Sequence, residues 1–374
     1  MPWRECHAVD ERAEFMRLAA KEDVNFSELC RRFNVSRNTA YRWLRRFRSG
    51  ETLEDRSSRP RSCPAQTAPQ IEAEVIALRQ KHRAWGGRKL CKVLKRSGLK
   101  APAPSTITDI LHRNGLIDMA RSEKHTAYKR FERAKPNELW QMDFKGHFEM
   151  EGGRCHPLTI LDDHSRYAVG LFACDNERFA TVKQHLIEAF RRYGLPHEIL
   201  CDNGPPWGAA GTEDRYTELG VWLMQVGIGV LHGRPQHPQT QGKDERFHRT
   251  LVDEVLWERL REKTQWQRRF DSFRHTYNWV RPHHALKLEV PGSVYRSSPR
   301  EYPETLRAPQ YAGTGMEVRR VDACGMIHLW GRRWKVGKPF RHQHVGIEPT
   351  QQDGLYHVYF YGRVIKTLDR KAVE

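Results

Sequence analysis

At Pro136 the spacing of apolar residues changes from the period of a helix to that of a strand. No other feature constrains the fold of the chain as much. Apolar and polar residues alternate from Trp140 to Phe148, which predicts a strand with Asp143 on the face it shares with Gln141 and Lys145. Glu151-Gly152-Gly153-Arg154 reads as a hairpin turn, and His156–Asp162 and Arg166–Cys174 predict two further strands of an antiparallel meander. Helices and strands then alternate. A helix is expected over Phe179–Tyr193 with Val182, Leu186, Ala189 and Phe190 inward, then a short strand His197–Cys201. A helix near Thr217–Val226 and a strand Ile228–His232 follow. A long helix runs from Thr240 to about Glu258, with Leu251, Val252, Val255 and Leu256 on its packed side. The order βββαβαβα predicts an α/β core with a mixed sheet and helices on its faces.

Before Pro136 the pattern is helical. Glu11–Lys21, a helix capped by Asn25 with Glu28 completing a capping box, and a helix capped by Ser36 predict a unit over residues 1–50. Leu29 and Phe33 face inward from the second helix, and Ala40, Trp43, Leu44 and Phe47 from the third, across a turn at Asn34-Val35. Arg37, Asn38, Tyr41, Arg42, Arg45 and Arg46 are left on the outer faces, the chemistry of a helix that reads the major groove, so this unit reads as a helix-turn-helix DNA-binding domain. A solvated helical hairpin would also expose charge but would not require the cap and short turn together. Residues 51–69, with Arg59-Pro60-Arg61, read as a linker. Residues 70–118 repeat the theme. Ile71, Val75 and Leu78 precede a break at Trp85-Gly86-Gly87, Leu90, Val93 and Leu94 follow, and a third helix starts at Pro104-Ser105 with Ile107, Ile110 and Leu111 inward. Arg88 and Lys89 open its basic cluster, and a second helix-turn-helix domain is expected. Residues 119–135 form a basic linker into a core over 136–290, where Trp266–Tyr277 is an amphipathic helix. Residues 291–313 read as a linker. The short runs Met326–Trp330, Arg333–Val336, His344–Glu348, Tyr356–Tyr361 and Arg363–Leu368 predict a small SH3-like β-barrel over 314–374. There Arg333 and Lys335 interleave with Trp330 and Trp334, a mixture suited to a DNA backbone.

The charge supports this division. Lys and Arg outnumber Asp and Glu by 64 to 46, a net +18. Residues 1–135 carry 30 basic and 16 acidic side chains, whereas residues 136–290 carry 20 and 22. A near-neutral core beside basic arms calls for an anionic partner, of which nucleic acid is the usual one. Within that core Asp143 lies on the first strand, Asp202 ends a later one before Asn203-Gly204, and Glu245 lies in the first turns of the long helix. Three carboxylates carried to one site repel unless a cation joins them, so divalent metal and phosphodiester chemistry are expected. Asp244 is about 100° around the helix from Glu245, so both cannot face the sheet, whereas Arg249 shares the Glu245 face. Asp162 and Asp163, before His164-Ser165, read as turn acids, and His283 and His284 as DNA-facing or structural. The scattered cysteines, without C-x-x-C spacing, suggest reduced thiols. The sequence has no membrane-length apolar run or signal-like start, so a cytoplasmic protein is expected. The absence of a G-x-x-x-x-G-K-[ST] pattern argues against an ATP site.

Asp143, Asp-Asn-Gly at 202–204 and Pro-Gln-Thr-Gln-Gly-x-x-Glu at 238–245 resemble the DDE transposases of bacterial insertion sequences and the retroviral integrases. Tyr277-Asn278-Trp279-Val280-Arg281-Pro282-His283 is similar to a signature of the bacterial branch, whose domain layout also matches. The resemblance implies an RNase H-like core in which Asp143 bridges two Mg²⁺ ions, Asp202 holds one and Glu245 the other, with Mn²⁺ as a substitute. It implies cleavage that frees 3′-OH ends and joins them to target DNA. It also implies double-stranded partners, the terminal inverted repeats and the target, gripped by a dimer or tetramer. Gln241 and Arg249 match positions that touch the donor end, and Lys145 is a further candidate contact. One departure is the spacing. Asp143 and Asp202 are separated by 58 residues, but Asp202 and Glu245 by 42, wider than is usual in the family. The excess is expected as a loop within Trp207–Thr217. Two other readings are a catalytically silent, transposase-derived DNA-binding regulator and an RNase H-type nuclease. The first has no need of three acids, and the second leaves the two helix-turn-helix units unexplained.

Overall fold

A computed structural model describes residues 8–21, 24–57, 66–117, 132–208, 216–232, 242–258, 260–311 and 313–371. The chain divides into two compact units, Met1–Gln66 and Thr67–Glu374. No helix among the described residues is long and apolar enough to cross a membrane.

The first unit holds α1 (Ala8–Ala19), α2 (Phe26–Arg32) and α3 (Arg37–Arg48). The caps form as the sequence dictates: Asn25 Oδ1 accepts the Glu28 N–H at 3.2 Å and Ser36 Oγ accepts the Thr39 N–H at 3.2 Å. Asn34 makes the turn with φ 50°. Phe15, Met16, Leu29, Cys30, Ala40, Trp43 and Leu44 form the core. Phe47, expected inward, is instead 43% exposed. The Trp43 ring is covered by the guanidinium groups of Arg12 and Arg46, 4.1 and 4.4 Å from its centroid. Arg46 therefore departs from its expected outward role. It folds back to donate to the Thr52 and Glu54 carbonyls, while Arg37, Asn38, Tyr41, Arg42 and Arg45 are exposed.

The second unit opens with α4 (Pro69–Lys81), α5 (Gly87–Arg96) and α6 (Pro104–Arg113), packed around Val75, Trp85, Leu90, Leu94, Ile107, Ile110 and Leu111. Gly87 lets α5 meet the start of α6, since a Cβ there would lie 2.4 Å from the Pro104 carbonyl oxygen. Lys92 and Arg96 fasten this bundle to the rest of the unit, reaching the two oxygens of Glu289 at 2.9 and 2.8 Å.

The central sheet contains β1 (Leu139–Phe144), β2 (Phe148–Met150), β3 (Gly153–Asp162), β4 (Ala168–Cys174), β5 (Glu198–Cys201) and β6 (Gly229–His232). β3 pairs antiparallel with β1, β2 and β4, while β1, β5 and β6 run parallel. Alternating side chains feed two apolar layers. Trp140, Met142, Ile160 and Val169 pack against α7 (Phe179–Tyr193) and α8 (Glu218–Gln225). Leu161, Ala168, Leu171 and Ala173 pack against α9 (Gly242–Glu254) and α10 (Lys263–Trp279). Leu251 on α9 and Val255 just past its end turn inward as expected but Val252 is 42% exposed, because the packed stripe is narrower than Leu251, Val252, Val255 and Leu256 together suggest. The Tyr277–His283 segment is structural. Asn278 donates to the Ala168 carbonyl at 3.0 Å and accepts the Ala168 N–H at 2.8 Å, fixing α10 to β4, and His283 is buried.

Residues 291–311 form a fastened strap rather than a loose linker. After α11 (Pro291–Val294), Tyr295 and Tyr302 join the core, and Arg300 donates to the Pro196 and Gly227 carbonyls at 2.6 and 2.8 Å. The strap crosses the end of α7 at Gly194, where φ is 75° and ψ 178° and a Cβ would lie 2.4 Å from the Ser298 carbonyl oxygen. Gly194→Ala is expected to cost at least about 2 kcal/mol of stability, since it adds a clash to a backbone region that only glycine adopts readily. Denaturant unfolding measures this.

The C-terminal strands are β7 (Glu317–Arg320), β8 (Met326–Leu329), β9 (Arg332–Lys335), β10 (His344–Pro349), β11 (Leu355–Phe360) and β12 (Arg363–Asp369). They form a four-stranded antiparallel sheet, β12-β11-β10-β7, and a separate β8-β9 hairpin. The expected barrel is thus not a closed one among the described residues, because β8 and β9 pair only with each other there. Both sheets share an apolar core that also takes in Val221 and Met224 from α8. Arg333 is tied to Asp322 at 2.7 Å, and Lys335 is half-buried in β9.

Candidate active site

Parallel pairing of β1 and β5 determines the site. Leu139, Trp140 and Gln141 sit beside Glu198, Ile199 and Leu200. Two residues further along each strand this register places Asp143 beside Asp202, one inter-strand spacing apart at the C-terminal edge of the sheet. One oxygen of each carboxylate accepts a backbone N–H, from Phe144 at 2.8 Å and from Gly204 at 3.1 Å. Both groups have pKa values above the ordinary carboxylate range. Burial and the neighbouring Asp202 push Asp143 up to about 6, and burial raises Asp202. Gly204 leaves the Asp202 carboxylate bare, since a Cβ there would lie 3.3 Å from Oδ2. Two half-buried acids that resist ionising together, beside such a gap, are a fitting donor set for a divalent cation.

Glu245 is not drawn into this pair. It is exposed on α9, while its neighbour Asp244 is 1% exposed and neither of its carboxylate oxygens has a hydrogen-bond partner among the described residues. Burial, followed by the charges of Asp143 and Asp163, pushes the Asp244 pKa well up, which favours its protonated form. Among the described residues, no three His, Cys, Asp or Glu side chains are grouped to hold a metal.

Several neighbours escaped sequence reasoning. Glu177, just before α7, adds negative charge beside both Asp143 and Asp202, and His156 Nδ1 lies 2.8 Å from its Oε1. No spacing in the sequence links Glu177 to the pair, and only the strand order brings it there. His248 lies three residues beyond Glu245, a spacing that could have flagged it. The Thr159 hydroxyl donates to the Asp143 carbonyl at 2.9 Å, so it accepts from His248 Nε2 at 2.8 Å, leaving Nδ1 4.0 Å from Asp143 Oδ2. Burial keeps this imidazole neutral, with a pKa of about 4. His248→Ala is expected to destabilise the protein by about 1–3 kcal/mol, because it removes a buried hydrogen bond and leaves a void against β1. Thermal unfolding checks this.

The remaining sequence candidates are dispersed. Lys145 is half-buried, close enough to lower the pKa values of both Asp143 and His248. Arg249 and Arg88 are exposed, Lys89 turns toward α9 and Arg281, and Gln241 lies outside the described residues. Asp162 and Asp163 are the expected turn acids. Asp162 accepts the Asn137 and Ser165 N–H groups at 2.7 and 2.8 Å, and Asp163 holds Lys243 and Gln141.

Comparison with known proteins places these features in context. Two profiles of the integrase core domain match residues 133–238 and 226–291. The C-terminal domain of IS481 family transposases matches residues 316–374, a helix-turn-helix domain residues 11–61, and a homeodomain-like domain residues 39–111. The chain is 25% identical over 280 residues to a 31.7 kDa protein of insertion element IS407 from Burkholderia multivorans, covering 73% of this chain and 92% of that one. It is 30% identical over 135 residues to the Gag-Pol polyprotein of avian reticuloendotheliosis virus, covering 36% of this chain and 11% of the polyprotein. Superposed on the catalytic core of HTLV-2 integrase in complex with magnesium, it gives a TM-score of 0.33 at 16% identity, covering 43% of this chain and 97% of that one.

Proposed function

Because the chain belongs to the transposase and integrase family, with an integrase core and helix-turn-helix domains, we propose that it binds the ends of a mobile DNA element, cuts them to free 3′-OH groups and joins those to target DNA. The observation that carries this reading is the Asp143–Asp202 pair, two carboxylates with raised pKa values at the C-terminal ends of adjacent parallel strands. Asp143 and Asp202 would hold Mg²⁺, or Mn²⁺ in its place, and Glu245 would complete the set. The bound ions would supply Lewis acidity toward a scissile phosphate and ease deprotonation of the attacking oxygen. The chain's own residues supply the rest. Backbone N–H groups of Phe144 and Gly204 fix the planes of the two carboxylates. Lys145, beside Asp143, would meet a phosphate oxygen, and Thr159 with His248 holds the backbone of β1 in place. Because joining exchanges one phosphodiester bond for another, no nucleotide cofactor is required.

Glu245 supports its role through its position on α9. At about 100° per residue, His248, which faces Asp143, lies about 40° from Asp244 and about 60° from Glu245 on opposite sides. The longer Glu245 side chain therefore flanks the same direction while staying open to solvent, as a group that exchanges ligands must. Two ends have to be held at once, so the working form would be a dimer or tetramer on terminal inverted repeats, acting in the bacterial cytoplasm. The exposed state of Glu245 equally suits the alternative of a silent DNA-binding regulator. Incubating the protein with duplexes bearing the element's ends, in Mg²⁺ or Mn²⁺, separates the two. Nicked and joined products support the enzyme, and end binding without nicking in either metal supports the regulator.

A further inference from the structure

Between the α4–α6 bundle and the outer face of α9 lies a groove of about 1110 Å³ whose charge is mainly positive, opposite in sign to the acidic pair. The bundle contributes Arg79, Arg83 and Lys89, and the core contributes Arg246, Arg249 and Arg281. Two carboxylates accompany them among the described residues: Asp253 on the wall, and Glu254, whose Oε1 is 3.8 Å from Arg281 Nε. So many cations in a partly dry cleft repel one another. Burial and the nearby Arg281, with Arg246 and Arg79, push the Lys89 pKa down to about 7. Such a cleft concentrates positive potential and favours a polyanion.

The groove is built rather than incidental. Lys92 and Arg96 pin the bundle to Glu289, and Arg79 is held by donating to the Trp85 and Leu116 carbonyls at 2.9 and 3.0 Å. It also carries an aromatic platform, for Trp257 on its wall is 53% exposed and the Arg83 guanidinium lies 4.1 Å from the ring centroid. Its course leads to the catalytic helix end. Arg249 is about 40° around α9 from Glu245, on the side away from His248, so the groove begins where the face toward Asp143 ends.

We propose that this groove carries the sugar-phosphate backbone of the DNA strand leading away from the scissile phosphodiester, with an unpaired base stacked on Trp257. Cations spaced along a helix meet successive phosphates, and an exposed indole accepts any base, the combination used for single strands. The inference rests on the proposed catalytic reading, which puts the scissile bond at Asp143 and Asp202.

The test uses the full chain and a fluorescein-labelled forked duplex carrying 2-aminopurine in its single-stranded arm. Trp257→Ala is expected to weaken binding roughly tenfold and abolish quenching of the 2-aminopurine, with an unchanged melting temperature. Arg83→Ala is expected to reduce the slope of log affinity against log salt by about one unit. Wild-type affinity, salt slope and quenching in both variants would overturn the proposal. Competition by poly-glutamate with no quenching in the wild type would overturn it in favour of an acidic peptide. Asp143→Asn protein separates the two readings. If it still cuts DNA, the catalytic assignment fails, whereas full quenching by that variant supports the groove on its own terms.

Discussion

Asp143→Asn protein is expected to bind end-bearing DNA as the wild type does and to lose cleavage and joining by about 10³-fold or more, the several kcal/mol that a metal-holding carboxylate contributes to charge stabilisation. The same substitution should leave the metal-free protein at least as stable at neutral pH. The folded pKa of Asp143, about 6, lies above its ordinary value of 3.8, so between these two pH values the folded protein retains a proton that the unfolded chain has released. Stability contributed by this group therefore falls as pH rises through that window and is fully lost above it. The difference is bounded at roughly 3 kcal/mol, from two pKa units at about 1.36 kcal/mol each. Melting curves in chelator at pH 7.5 and pH 4 should show the variant at or above the wild type at the higher pH and a smaller gap at the lower. Added Mg²⁺ should raise the melting temperature of the wild type only. A variant that joins DNA at wild-type rates would remove Asp143 from the chemistry.

The second large effect decides between adjacent acids on α9. Glu245→Gln is expected to lose activity as completely as Asp143→Asn. Asp244→Asn should stay within about threefold of the wild type, under about 0.7 kcal/mol, because an amide replaces a carboxyl group whose protonated form burial favours. Asp244 is enclosed at 1% exposure, whereas Glu245 is open to the side from which DNA would arrive. If Asp244→Asn is the inactive variant and Glu245→Gln the active one, the third acid has been misassigned and the helix turns its other shoulder to the sheet. Single-turnover cleavage of labelled ends measures both.

The strands and helices of the core were legible because each is apolar at its own period, as with Val182, Leu186, Ala189 and Phe190 on α7. Asp143 and Asp202 were legible because both fall where predicted strands end or expose a polar face. Other features needed three dimensions. β7 carries one apolar residue in Glu317-Val318-Arg319-Arg320, too few for a strand signal, yet pairing with β10 holds it in place. The strap resembled a linker because its anchors, Tyr295, Tyr302 and the hydrogen bonds from Arg300, follow neither a helical nor a strand period. Burial of Asp244 ahead of Glu245 could not be read from the expected stripe, because Leu251, Val252, Val255 and Leu256 centre it about midway between the two acids, and only the exposure of Val252 turns it toward Asp244. The basic groove is assembled from segments more than a hundred residues apart, which no local pattern can report.

Val221 and Met224 lie on α8 of the integrase core, yet they belong to the apolar cluster of the C-terminal sheets. The border between core and C-terminal region is therefore not a seam along which the protein can be recombined. A chimera that takes its last sixty or so residues from a relative inherits a sheet cut to fit another α8, so the unit of exchange is the sheet together with that helix.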